Sequence, residues 1–145
     1  MMNKSHIPAK VGKRVLITGI TGFVGSYLAR RLLKYGYEVY GFVRRRAEGY
    51  NYRRLIEMGI LKQVKLIEGD VTDLTSLLFA LDRAEPDVIF HLAAQSFIPR
   101  SFADPLETFY ANCLGTQNLL EAVRLKDLDS KIIFAGSSEE YGLQI

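Results

Sequence analysis

Short runs of consecutive apolar, often β-branched residues alternate along the chain with longer stretches whose apolar positions recur three and four residues apart. The first pattern marks strands buried on both faces and the second marks amphipathic helices, so the alternation predicts βαβ units and a parallel sheet. Arg14–Thr18 (RVLIT) reads as the first strand. A helix over Gly22–Lys34 follows, with Phe23, Tyr27, Leu28 and Leu32 at near-helical spacing and Gly36 as its C-cap. Glu38–Val43 is the second strand, Arg53–Met58 a short helix before Gly59, and Lys65–Glu68 the third strand. Asp73 caps a helix over Leu74–Arg83, and Asp87–His91 (DVIFH) is the fourth strand, entered through Pro86. Pro105–Leu125 holds the longest helix and Lys131–Ala135 the fifth strand. Right-handed crossovers give the strand order 3-2-1-4-5, with a switch point between strands 1 and 4. Residues 1–13, polar and basic without an apolar core, are expected to be a disordered lead-in to one domain over 14–145.

The switch point is where open α/β sheets bind ligands, and the segment feeding it is TGITGFVG, Thr18 to Gly25. A glycine loop between a first strand and a first helix is the setting that a Rossmann dinucleotide site requires. Gly19 permits the tight turn, Gly22 lets backbone approach a pyrophosphate, and Gly25 lets the helix pack on the sheet. Ile20, Thr21, Phe23 and Val24 complete the loop, and the helix N-terminus offers N–H groups and a positive dipole end. No Lys-Ser/Thr pair follows the glycines, which excludes a P-loop.

The tip of the second strand decides which dinucleotide. NAD enzymes place a carboxylate there for the adenosine ribose. This chain reads VRRRAEGYNYRR, with Arg44, Arg45 and Arg46 at the tip and Arg53 and Arg54 beyond. A planar guanidinium suits a 2′-phosphate, so the expected cofactor is NADP rather than NAD. A solvated basic loop is the plain alternative. Nucleic-acid binding, which Tyr50 and Tyr52 would suit by stacking, is disfavoured because Arg44 lies where the ribose belongs. After the third strand, GDVTD lets Asp70 accept from the adenine amino group while Val71 packs on the ring. After the fourth, LAAQS supplies Leu92, Ala93, Ala94, Gln95 and Ser96, whose small alanines let a ring lie against backbone. His91, at an apolar strand end without a second ligand, reads as structural rather than as a metal ligand or base. Asn112 pairs with backbone near the site or is a polar helix residue.

The fifth strand opens into FAGSSEEYGLQI, a cluster of hydroxyls, carboxylates and a phenol at the carboxyl edge of the sheet. Ser137 and Glu139 stand two apart, and so on one face if the strand continues. Composition adds exclusions. One cysteine, Cys113, rules out an internal disulfide and a Cys-cluster metal site and suits a reducing cytoplasm. No apolar run approaches the ~20 residues that span a bilayer. A net charge of +3 is a weak pull toward polyanions.

TGITGFVGSYLA, GYEVYGFVRR, GDVTD, LAAQS and SSEEYG together resemble the extended branch of the short-chain dehydrogenase/reductase family, in its nucleotide-sugar members. They are most similar to the GDP-mannose 4,6-dehydratases and the GDP-4-keto-6-deoxymannose reductases. The resemblance implies hydride transfer at the sugar C4, a GDP-linked sugar as substrate, and a homo-oligomer. It assigns the hydroxyl that orients the 4-oxygen to Ser137 and the base that removes the C5 proton to Glu139. Serine at 137 and Glu140 are more like the reductases, whereas the glycine loop and arginine pair are more like the dehydratases. The family's Tyr-x-x-x-Lys does not occur: Tyr27 has Arg31 four residues on, and no tyrosine has lysine there. The chain therefore reads as the N-terminal, cofactor-binding part of a dehydratase, inactive alone and lacking the C-terminal substrate domain. A reductase, an epimerase or a non-catalytic Rossmann module are the alternatives.

Overall fold

In the computed structural model, which describes residues 13–44, 52–137 and 141–142, five strands form one all-parallel sheet. They are β1 (Arg14–Thr18), β2 (Glu38–Val43), β3 (Lys65–Glu68), β4 (Val88–His91) and β5 (Lys131–Phe134). The order is β3-β2-β1-β4-β5, as the sequence predicts. Residues 1–12, which hold nearly all of the expected lead-in, lie outside the described residues.

Alternation along each strand sends side chains to two cores. Leu16 of β1 joins Phe42, Ile67 and Ile89 beneath α3 (Leu74–Ala84) and the last helix, where Leu77, Leu81 and Leu119 complete the layer. Val15 and Ile17 face the other way with Val39, Val43 and Leu55, under α1 (Phe23–Lys34) and α2 (Arg53–Glu57). Each fully buried Leu or Ile contributes about 1.5–3 kcal/mol. Burial on both faces is why β1 and β2 read as unbroken apolar runs.

The helix ends follow local chemistry. Past α1, the Gly36 N–H bonds the Leu33 carbonyl and the Tyr37 N–H the Leu32 carbonyl, so Gly36 lies one position beyond the cap residue Tyr35. The Asp73 carboxylate caps α3 at the Thr75 N–H, 2.9 Å away.

The stretch Pro105–Leu125, expected to hold the longest helix, divides into three helical pieces. A further helix, α4 (Ile98–Ala103), precedes it, in a stretch to which the sequence pattern assigns no element. Asp104, whose backbone leaves the helical region before Pro105, ends α4 and caps α5 (Pro105–Phe109) by accepting the Glu107 N–H at 3.0 Å. A π-helical turn over Tyr110–Leu114 then leads into α6 (Gly115–Leu125). Such a turn departs from the 3.6-residue period, so apolar spacing does not reveal it.

His91 ends β4 with 2% of its surface exposed. Its Nδ1 is 2.8 Å from Thr18 Oγ1, its Nε2 is 3.1 Å from Thr116 Oγ1, and its ring stacks on Phe134. Both ring nitrogens are thus tied into the fold by hydrogen bonds. Among the described residues no group of three His, Cys, Asp or Glu side chains is placed to hold a metal. Burial pushes the His91 pKa below its ordinary value. A depressed folded-state value means that the unfolded chain binds the extra proton first. The stabilisation is complete above the unfolded value of about 6.5 and is lost as pH falls toward the folded value. Melting temperature should therefore drop on acidification below about pH 6.5, and His91→Asn should flatten that part of the profile. An identical acid limb in the variant would contradict this account of the ring.

Candidate functional site: a groove over the glycine turn

At the carboxyl end of β1 the chain reverses through a turn closed by the Gly22 N–H on the Gly19 carbonyl, at 3.0 Å. Gly19 has φ +75°, and a β-carbon there would lie 2.8 Å from the Ala93 nitrogen. Gly25 allows the second close approach, since its β-carbon would meet the Gly19 carbonyl oxygen at 2.4 Å. Both positions exclude a side chain, and as a result α1 starts directly on the switch point. No side chain caps α1 and its first turn has no acidic residue, so its N-terminal N–H groups and positive dipole end address the space above. From below, Arg54 Nη1 donates to the Thr21 carbonyl at 3.3 Å.

That space is a groove of about 1170 Å³. It exceeds the roughly 300–1,000 Å³ of drug-sized pockets, so an extended ligand fits it better than a compact one. Gly19, Thr21, Gly22, Phe23, Val24 and Gly25 form its floor, and Arg44, Asp70, Val71 and Leu92, Ala93, Ala94, Gln95 and Ser96 its walls. Ile20 is the correction to this set. Its side chain is fully buried and packs over Gly41 in the core, so it supports the loop without facing the groove.

The walls are fixed by hydrogen bonds. Asp70 Oδ1 accepts from the Thr72 N–H at 2.9 Å and the Thr72 hydroxyl at 2.8 Å, so half of the carboxylate expected to meet adenine is committed to its own turn. Asn118 Nδ2 donates to the Val71 carbonyl at 3.1 Å. The Gln95 amide folds back onto Phe97 and Thr108. Asn112, in the π-helical turn, clamps Gln95 twice: its Oδ1 accepts the Gln95 N–H at 2.7 Å and its Nδ2 donates to the Gln95 carbonyl at 3.0 Å. Backbone pairing is thus the role Asn112 takes.

Arg44 stands at the β2 end of the groove and no carboxylate occupies its position. Its Nη1 is 4.0 Å from Glu107 Oε1, and Arg100 Nε donates to Glu107 Oε2 at 2.7 Å. Arg100, Asp104, Glu107 and Tyr110 also line the groove. None of these four was expected at the site: Arg100 and Asp104 fall in a stretch to which the sequence pattern assigns no element, and for Glu107 and Tyr110 helical periodicity does not say which side chains reach the groove. Arg45 and Arg46 lie outside the described residues.

The candidate catalytic pair is placed less fully. β5 ends at Phe134, three residues before Ser137, so strand alternation does not set the direction of that side chain. Ser137 is exposed and is not part of the groove lining. Glu139 lies outside the described residues. Among the described residues no helix is long and apolar enough to cross a membrane.

Comparison with known proteins gives these features a context. A dehydratase named GDP-mannose 4,6-dehydratase from Yersinia enterocolitica is 41% identical over 138 residues, covering 90% of this chain. GDP-mannose 4,6 dehydratase 1 of Arabidopsis thaliana is 41% identical over 143 residues, covering 92%. The chain spans 37% and 39% of the lengths of these two relatives. Among solved structures, a Thermus thermophilus UDP-glucose 4-epimerase in complex with NAD superposes with TM-score 0.72 at 35% identity, over 86% of this chain and 37% of that one. A UDP-Glc/GlcNAc 4-epimerase from Campylobacter jejuni does so with TM-score 0.78 at 27% identity, over 90% and 39%. The family described as GDP-mannose 4,6 dehydratase matches residues 16–144, nearly the whole length. By that match, and by a glycine turn and groove laid out at the β1/β4 switch point, the chain belongs to the GDP-mannose 4,6-dehydratase family.

Proposed function

We propose that this chain is the dinucleotide-binding portion of an NADP-dependent GDP-mannose 4,6-dehydratase. The observation that carries the reading is the uncapped N-terminus of α1, cradled by Gly19 and Gly25 and opening onto a groove whose adenosine end presents Arg44 in place of a carboxylate. The pyrophosphate is held by the N–H groups at Gly22 to Val24. Arg44 takes the 2′-phosphate, exchanging its distant partner Glu107 for a dianion. Asp70 receives the adenine amino group through Oδ2, Val71 packs on the ring, and the Leu92–Ser96 wall lies against the second ribose and the nicotinamide. The Thermus thermophilus UDP-glucose 4-epimerase in complex with NAD supports a dinucleotide in this fold.

When bound, the nicotinamide supplies hydride acceptance and return at the sugar C4. Ser137 orients the 4-oxygen through its hydroxyl, and Glu139 removes the C5 proton that elimination of the 6-hydroxyl requires. The substrate is a GDP-linked sugar, the compartment is the cytoplasm, and the enzyme acts as a homo-oligomer. Two sequence observations, serine at 137 and Glu140, favour a reductase as the second reading.

Three outcomes test this. NADPH should bind more tightly than NADH by the roughly 1.5–3 kcal/mol of a charge-assisted bond, and Arg44→Ala should close the gap; equal affinities in the parent chain would contradict the NADP assignment. In the full-length enzyme, Glu139→Gln should lower dehydratase turnover by roughly 10²–10⁴-fold with NADPH affinity unchanged. A mild Glu139→Gln effect beside a severe Ser137→Ala effect indicates the reductase, and full turnover in both variants rejects the pair. Finally, β5 is a sheet edge with Ile133 and Phe134 exposed, so the 145-residue chain should self-associate in sedimentation experiments. A concentration-independent monomer would refute that expectation.

A further inference from the structure

The hydrogen bonds around His91 have a direction, and the direction fixes the proton on the ring. Thr18 Oγ1 accepts from the Leu92 N–H at 3.1 Å and from the Ala93 N–H at 3.1 Å. The Leu92 N–H is shared with the Thr18 carbonyl, also at 3.1 Å. A hydroxyl has two acceptor lone pairs and one proton, so the Thr18 proton must go to its third neighbour, His91 Nδ1 at 2.8 Å. Nδ1 is then an acceptor, and in the neutral ring the proton sits on Nε2. Nε2–H donates to Thr116 Oγ1 at 3.1 Å, and the Thr116 hydroxyl passes its own proton to the Asn112 carbonyl at 2.6 Å. Asn112 in turn holds both backbone groups of Gln95. One chain of donors therefore runs from Ala93 through Thr18, His91 and Thr116 to the π-helical turn and back to Gln95.

The two ends of this chain both fall within one groove wall, Leu92–Ser96. Ala93 and Gln95 bracket Ala94, and all three line the groove. Thr18 belongs to the glycine-turn strand and Asn112 to the π-helical turn, and the hydrogen bonds that link them run through His91 and Thr116.

We propose that His91 is a positioning residue of the groove, held as the neutral Nε2–H tautomer so that Thr18 and Asn112 grip the Leu92–Gln95 wall in one fixed register. The role rests on the dinucleotide reading for its purpose, but the tautomer and the grip do not. An Nδ1–H ring would face the Thr18 hydroxyl donor to donor and force it off Leu92 or Ala93. A polar chain satisfied at every member is rigid, which is what a wall meeting a flat ring needs.

The test uses the chain with His6 replaced by Asn, leaving one histidine, labelled with 15N. Long-range 1H–15N correlation at neutral pH should show an unprotonated Nδ1 and a protonated Nε2; the Nδ1–H tautomer or an imidazolium would overturn the proposal. Thr116→Val removes the far link while keeping the shape. It should shift the Ala93 and Gln95 amide signals and weaken NADPH binding by roughly tenfold, the loss of about one hydrogen bond, while the Nε2–H tautomer, which Thr18 sets, persists. Thr116→Ser should restore both. Parental amide shifts in Thr116→Val would overturn the proposal even if NADPH binding changed. If the parent chain binds no dinucleotide, the proposed function fails, while the tautomer and the amide shifts still decide the positioning role.

Discussion

A β-carbon on residue 19 would sit 2.8 Å from the backbone of Leu92 and Ala93, and one on residue 25 would sit 2.4 Å from the Gly19 carbonyl oxygen. The groove depends on those two missing carbons. They let the β1–α1 turn press against the end of β4, which brings the positive end of α1 and the Leu92–Ser96 segment to the same opening. Without that contact the strands could still pair and the cores still form, but the helix dipole would point at no defined cleft. Thr18 shows how closely the two strand ends are joined: its carbonyl and its hydroxyl both accept the Leu92 N–H.

Around that contact the molecule divides its work between apolar packing and short polar chains. Two cores, one on each face of the sheet, supply the bulk of the stabilisation and set the layer spacing. The side chains that shape the groove are mostly polar and mostly local. Asp70 with Thr72, Asn118 with Val71 and Asn112 with Gln95 each fix one stretch of wall. At the far side of the sheet a separate network of Arg14, Glu38, Tyr40, Lys65 and Glu85 ties the starts of β1, β2 and β3 to the turn before β4. There the Lys65 ammonium, with the Tyr40 hydroxyl behind it, holds the Glu38 carboxyl below its usual range. Exposed as these charges are, their role is register more than energy.

Much of this was legible in the sequence because period and punctuation agreed. Arg14–Thr18, Glu38–Val43 and Lys65–Glu68 were bounded by Gly, Asp or helix signals and matched the structure to the residue. The glycine loop was readable from its place between a strand and a helix. What escaped has physical reasons. α4 is short and its apolar residues are exposed, so no amphipathic period announces it. The π-helical turn breaks helical spacing from within. Ile20 sat inside a binding motif but is held by the core, because motif membership does not say which way a side chain points. The reach of strand alternation was overestimated at Ser137, since β5 stops at Phe134.

In the proposed reading, the glycine turn, the start of α1 and the wall after β4 act as one dinucleotide site. Backbone amide mapping tests it most directly: 15N-labelled chain titrated with NADPH, with every amide shift followed. The account predicts the largest changes at Gly22, Phe23, Val24 and Gly25, with further changes at Arg44, Asp70, Val71 and Leu92–Ser96, and little change on the outer faces of α3 and α6. Saturable shifts centred elsewhere, or none at the start of α1, would contradict it.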